Sequence, residues 1–227
     1  MNEAATGNVA AMTLALSSDE LLTTTRSVRK RLDFTRPVAR DLVETCARFA
    51  FQAPNGSNQQ GWAWVFVDDP DTRAAMADLY RQGLRDHLAR DRTGEVEPDR
   101  SAPTQQRIST SVSYLIERMQ DVPVLLVPAV ARRYGDKSTF QQASKWGSIL
   151  PAVWSFMLAL RSRGLGSAWT TLSLYREKEM AELLGLPAGE WTQAGLFPIA
   201  YTIGTEFKAA DRAASDALVH WNRWSQP

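Results

Sequence analysis

Residues 52–62 read QAPNGSNQQGW and join two segments of different character. Before them, PVARDLVETCARFAF sets apolar side chains at 38, 42, 43, 46, 49 and 50. That is the spacing of one helix face, and Pro37 suits the first helical position. After them, WAWVFV is a strand candidate. A helix–loop–strand junction puts helix and sheet into one domain, so this stretch decides the fold class. The loop holds Pro54, Gly56, Gly61 and two asparagines but no charged residue, in a chain that is 22% charged. It is either a helix stop and a turn, or a loop that lays backbone and amide groups against a ligand.

The same alternation continues outward. Upstream, SSDELLTTTRSVRKRLD predicts a short helix capped by Ser18 or Asp19, running into a basic segment from Arg26 to Arg31. Residues 1–18 read as a mobile arm; their Ala/Thr-rich start lacks the basic region of a secretory signal. Downstream, Asp69-Pro70 starts a helix through about Leu88, and residues 91–105 read as a polar surface loop or lid. Helical pattern resumes from Thr104 to Met119, and VPVLLVPAV reads as a buried strand. From Phe140 to Leu160 the apolar positions are wider than one stripe, which predicts a helix buried on most sides or lying at a subunit interface. Arg163-Gly164-Leu165-Gly166 ends it. SAWTTL is a strand candidate, YREKEMAELLG a surface helix, and residues 197–203 the last strand. The tail, 204–227, ends in HWNRW, and two tryptophans there predict that it docks on something. Four strand candidates among six or so helices imply an α+β or three-layer sandwich in a single domain, 19–227.

Bulk composition narrows the function. At 227 residues the chain can bury a real core. A net charge of +1 argues against a dedicated nucleic-acid binder. Cys46 is the only cysteine, which rules out an intrachain disulfide and fits a reducing compartment; its helical pattern marks it as a small buried side chain. His87 and His220 lack metal-ligand spacing, so no metal site is expected. No uninterrupted apolar run reaches about 18 residues, so no membrane span is expected and a cytoplasmic protein is the default.

Common catalytic signatures are missing: no G-x-G-x-x-G after a strand, no P-loop, no G-x-S-x-G, no H-E-x-x-H and no C-x-x-C. Three polar clusters remain. Arg26, Ser27, Arg29, Lys30 and Arg31 form either a solvated basic patch or a phosphate clamp with bidentate arginines and a hydroxyl donor. Asn55, Asn58, Gln59 and Gln60 both donate and accept, which suits a heterocycle, while the glycines let backbone approach closely. Lys208 and Arg212 are either surface charge or a second phosphate clamp.

These pieces, in order, resemble the nitroreductase family of flavin enzymes. The likeness runs from about residue 19 to 224. It comprises Arg26-Ser27-Val28-Arg29, then Ala53-Pro54-Asn55-Gly56-Ser57-Asn58-Gln59-Gln60-Gly61-Trp62, then Pro123-Val124-Leu125-Leu126. Gly164-Leu165-Gly166 follows, and Phe197-Pro198-Ile199-Ala200 leads into the basic tail through Arg212. The resemblance implies an α+β three-layer sandwich with a mostly antiparallel central sheet. It implies an intertwined homodimer with two FMN molecules at the subunit interface, the 204–227 tail docking on the partner. By the same resemblance, Arg26, Ser27 and Arg29 hold the ribityl phosphate and the polar edge of the flavin. Pro54, Asn55, Gly56 and Asn58 meet the flavin from the other subunit. Thr170, Thr171 and Leu172 lie along the ring near N5, and Lys208 and Arg212 bind the phosphate. It implies hydride transfer from NADPH or NADH through flavin N5 to an aromatic acceptor such as a nitroaromatic or quinone, in ping-pong order. No acid–base residue is then needed, and Arg29 is the electrostatic candidate. Residues 91–120 and Trp146 are candidates for the entrance as well as for core or surface. Rival readings on the same resemblance are a flavin-binding protein without turnover and a flavin-cleaving or dehalogenating relative. Two positions depart from the family pattern: Asn55 stands for the usual Ser and Gly61 for the usual Pro.

Overall fold

A computed structural model describes residues 13–90, 103–133, 137–187, 189–212 and 218–224. Most of the expected arm (1–12) and of the expected lid (91–102) lies outside them.

The strands are β1 (Leu32–Asp33), β2 (Trp62–Val67), β3 (Val124–Ala131), β4 (Leu165–Ser167), β5 (Trp191–Gln193) and β6 (Phe197–Thr202). The helices are α1 (Ser18–Thr24), α2 (Arg40–Ala50), α3 (Pro70–Arg90), α4 (Pro103–Arg118), α5 (Thr139–Arg161) and α6 (Glu177–Leu184). Sheet order is β1-β6-β3-β2, with β4 also on β6 and β5 also on β3. Every pairing is antiparallel.

Strand β3 explains the layering. Its residues from Val124 to Val130 are buried, so the segment reads as an unbroken apolar run. Alternate side chains serve opposite faces. Val124, Leu126 and Val130 join a core with α2 and α5. Leu125 and Val127 join a second core with Met76, Ala77 and Tyr80 of α3, Leu115 of α4 and Met180 of α6. The sheet is therefore sandwiched between two helical layers, as expected. Each fully buried Leu of β3 contributes about 1.5–3 kcal/mol.

Several local expectations change. The cap of α1 is Ser17, because only Ser17 stands three residues before Glu20 and closes a reciprocal capping box. Helix α2 starts at Arg40 rather than Pro37; Ala39 is still extended, and Val38 packs on the core from that extended backbone. SAWTTL is not a strand. Strand β4 ends at Ser167, Thr170 only bridges Leu196, and residues 172–176 turn into a 3-10 helix. Strands β1 and β5 were not foreseen, since two or three residues carry no readable period. Helix α5 is buried mainly in its second half; Phe140, in its first turn, is 81% exposed. Among the described residues no helix is long and apolar enough to cross a membrane.

Candidate functional site

The basic segment is placed by backbone. Val28 donates to the carbonyl of Ser167, 2.8 Å away, and its side chain is buried. Gly166 makes this approach possible: a Cβ there would lie 2.9 Å from Val28 Cβ and 2.8 Å from Thr202 Cγ2. The second glycine of Gly164-Leu165-Gly166 thus seats the Arg26–Arg29 segment, while Gly164, at φ +73°, supplies the left-handed turn out of α5.

The tail reaches the same place. Arg31 donates to the carbonyls of Ile203 and Glu206, both at 2.8 Å. The Phe207 ring faces two guanidiniums, Arg31 at 4.1 Å and Arg161 at 4.9 Å. Arg161 is buried, and burial, then repulsion from Arg31, holds its pKa below the ordinary arginine value against Glu206. Arg26 donates to the Lys208 carbonyl at 3.3 Å. The outcome is a cavity of about 490 Å³ lined by Arg26, Ser27, Arg29, Lys30, Arg31 and Lys208, with Glu206 its single carboxylate among the described residues. Ser111 of α4, within the region considered for an entrance, also lines it. Arg212 is exposed and is not among the lining residues. Trp146 is half-buried against the core.

Arg29 ties this cavity to the segment after β4. Burial lowers its pKa below the ordinary value, with Tyr80 opposing. The Tyr80 hydroxyl is pushed up by burial and held down by a hydrogen bond with the Thr170 side chain and by Arg29. Thr170 is buried, and its Oγ1 donates to the Leu196 carbonyl at 2.6 Å. Thr171 is exposed and Leu172 half-buried. Gly83 of α3 sets where this segment lies, because a Cβ at 83 would sit 1.9 Å from the Leu172 carbonyl oxygen. Tyr80, Gly83 and Phe207 were not among the expected site residues. The one available signal was that Tyr80 and Gly83 stand three apart on α3, on one face.

The uncharged loop lies elsewhere. Gly56 N donates to Ser148 Oγ at 2.9 Å, tying the loop to α5. Asn55 Oδ1 accepts from Gln60 N at 3.0 Å, and Asn58 Oδ1 from Gln60 Nε2 at 3.1 Å. Ser57, Asn58 and Gln60 take φ of +55°, +52° and +47°, a conformation that costs a non-glycine residue of order 1 kcal/mol or more. Pro54 and Asn58 are exposed. Gly61 is not needed for space, since a Cβ there would make only an ordinary 3.8 Å contact with Ala131. Gly56, Ser57 and Gln59 form one wall of a second cavity, of about 890 Å³.

The sheet register measures the gap between the two groups. The basic segment hangs on Ser167, level with Ile199 and so with Val124. The loop ends at Gly61, whose carbonyl accepts from Ala131 N at 2.9 Å. From Val124 to Ala131 is roughly 23 Å along β3. The chain thus brings Arg26, Ser27, Arg29, Lys208 and the Thr170 segment together, and keeps Pro54, Asn55, Gly56 and Asn58 at the far end of the sheet.

The fold is shared with solved structures. A BluB-like flavoprotein from Clostridium difficile 630 is 19% identical over 92% of this chain and 100% of its own, with a TM-score of 0.69. An iodotyrosine deiodinase bound to FMN and 3-iodo-L-tyrosine is 18% identical over 91% and 99%, with a TM-score of 0.67. An FMN- and NADPH-dependent nitroreductase, NfnB, from Sphigopyxis sp. strain HMH is 20% identical over 92% and 100%, with a TM-score of 0.67. The model of the nitroreductase family matches residues 22–201, a span that takes in the basic segment, the uncharged loop and the glycine turn after α5, and the chain belongs to that family.

Proposed function

We propose that the chain is an FMN-dependent oxidoreductase acting in ping-pong order, with NADPH or NADH as reductant and an aromatic acceptor such as a nitroaromatic or quinone. FMN, when bound, supplies the hydride-transfer chemistry. The observation that carries this reading is the convergence of Arg26, Ser27, Arg29 and Lys208 on one cavity. That donor set fits a phosphate monoester on a polar ring: a guanidinium, an ammonium and a hydroxyl for the phosphate, and a second guanidinium for the ring.

The chain's own residues divide the work. Arg26, Ser27 and Lys208 hold the phosphate. Arg29, half-buried, faces the polar edge of the ring and favours negative charge there, with more force than an exposed cation because burial lowers the local dielectric. Tyr80 and Thr170 hold Arg29 and the 170–172 backbone in one arrangement. The Asn55–Asn58 loop completes the site from a second copy of the chain, which the separation of the two groups within one protomer supports. Apolar side chains left exposed, Phe49, Phe51 and Trp154, are the contacts such a copy would cover. In the tail, Trp221 is 84% and Trp224 68% exposed, which supports docking of 204–227 on the partner.

The test is a spectrum. The purified protein, incubated with FMN and gel-filtered, is expected to keep flavin absorbance and to bleach anaerobically on adding NADPH or NADH. Adding a nitroaromatic then restores the colour. Retained colour without bleaching would make it a flavin binder without turnover.

A further inference from the structure

We propose that the cavity beside the 55–60 loop binds an anionic group, carboxylate or phosphate, carried on a planar ring. This rests on the flavin reading, which sets the loop against the cofactor.

The cavity, of about 890 Å³, carries Arg132, Arg133, Lys137 and Lys145 and, among the described residues, one carboxylate, Glu190. Two of these cations are engaged. Arg133 pairs with Glu177 at 2.6 Å and donates to the Trp191 carbonyl at 3.1 Å. Lys145 donates to Gln59 Oε1 at 3.0 Å. Among the described residues, Arg132 and Lys137 have no carboxylate partner.

Arg132 is also held in an unusual backbone. Its φ is +76°, where glycine or asparagine would sit at less cost. Its amide donates to the Glu190 carbonyl at 2.5 Å, and its carbonyl accepts from Thr192 Oγ1 at 2.7 Å. The turn does not call for an arginine, and Arg132 lines the cavity. Phe140 and Trp191 add aromatic faces to the same cavity, and Phe140 is otherwise largely bare. Cations beside open aromatic faces match a ring that carries an anion.

The test uses the FMN-reconstituted full chain and two variants. Arg132→Asn tolerates the left-handed backbone and removes the charge; Lys137→Gln removes the second. With 4-nitrobenzoate as probe, each variant is expected to raise KM about tenfold relative to the neutral 4-nitrobenzyl alcohol. If the anion is instead the 2′-phosphate of the dinucleotide, KM for NADPH rises relative to NADH and the 4-nitrobenzoate ratio stays put. Both ratios staying within about twofold of wild type would overturn the proposal. Calorimetric titration with 4-nitrobenzoate separates this from the flavin reading. A chain that takes up no FMN yet binds 4-nitrobenzoate, about tenfold more weakly as Arg132→Asn, keeps the anion site and loses the flavin. Equal binding by wild type and variant removes the anion site.

Discussion

Replacing Gly83 by alanine sets two effects against each other. Alanine in a helix interior is favoured over glycine by about 0.8–1.0 kcal/mol. Against this, the new Cβ would lie 1.9 Å from the Leu172 carbonyl oxygen and 2.7 Å from its carbon, where ordinary contact begins near 3.4 Å. The 170–172 backbone or α3 must move by roughly 1.5 Å, and both are packed, so the cost is that of overpacking, about 1–3 kcal/mol or more. The clash outweighs the helix gain. Gly83→Ala is expected to unfold at lower urea with an unchanged slope, a net loss of up to about 2 kcal/mol. It also displaces the segment assigned to the flavin ring, and a shift of about 1 Å in a positioned site can cost about a hundredfold in rate. Urea titration followed by tryptophan fluorescence, with anaerobic stopped-flow reduction of the FMN-loaded variant, reads both. A variant at least as stable as wild type, reduced at the wild-type rate, would refute the placement of 170–172 by α3.

Gly147→Ala is the contrast: among the described residues nothing beyond its own helix turn lies within 4 Å of a Cβ there, so the helix gain of about 0.8–1.0 kcal/mol appears in full unless a second copy packs on that face. A measured loss would locate a dimer contact on α5. Arg29→Ala is expected to weaken FMN binding by ten- to about a hundredfold, the range for one charged hydrogen bond, with Arg29→Lys falling between; fluorescence titration with FMN checks it. Cys46 is fully buried, and burial raises its thiol pKa to about 11. Ellman's reagent at pH 8 is therefore expected to find no thiol in the native chain and one after denaturation. The raised pKa also sets a direction: the unfolded thiol ionises from about pH 8.5, so this contribution to stability is intact below that pH and is lost as pH rises towards 11.

Long elements with clear periods were readable from residues alone. Strands β2, β3 and β6 stand in apolar runs, and α2 and α5 show their faces. The basic segment and the uncharged loop stood out because each is chemically unlike its surroundings. SAWTTL misled because exposed Trp169 beside buried Thr170 alternates as a strand does, yet after Ser167 only the single Thr170–Leu196 bridge continues the pairing. Tyr80 and Gly83 were invisible for a different reason. Their roles depend on Thr170 and Leu172, about 90 residues away, and a three-dimensional approach of that kind leaves no local pattern. Phe207 is the same case, since only the fold brings Arg31 and Arg161 to its ring.

The central claim is a flavin site built from two chains, and mixed dimers test it directly. One parent carries Arg26→Ala and Arg29→Ala, the other Asn55→Ala and Asn58→Ala. Each alone is expected to lose FMN on gel filtration. Unfolded together and refolded as a mixture, they should regain about a quarter of the wild-type flavin content, because half the dimers are mixed and each holds one intact site. A mixture that retains no more FMN than its parents would place the whole site within one chain and contradict the account.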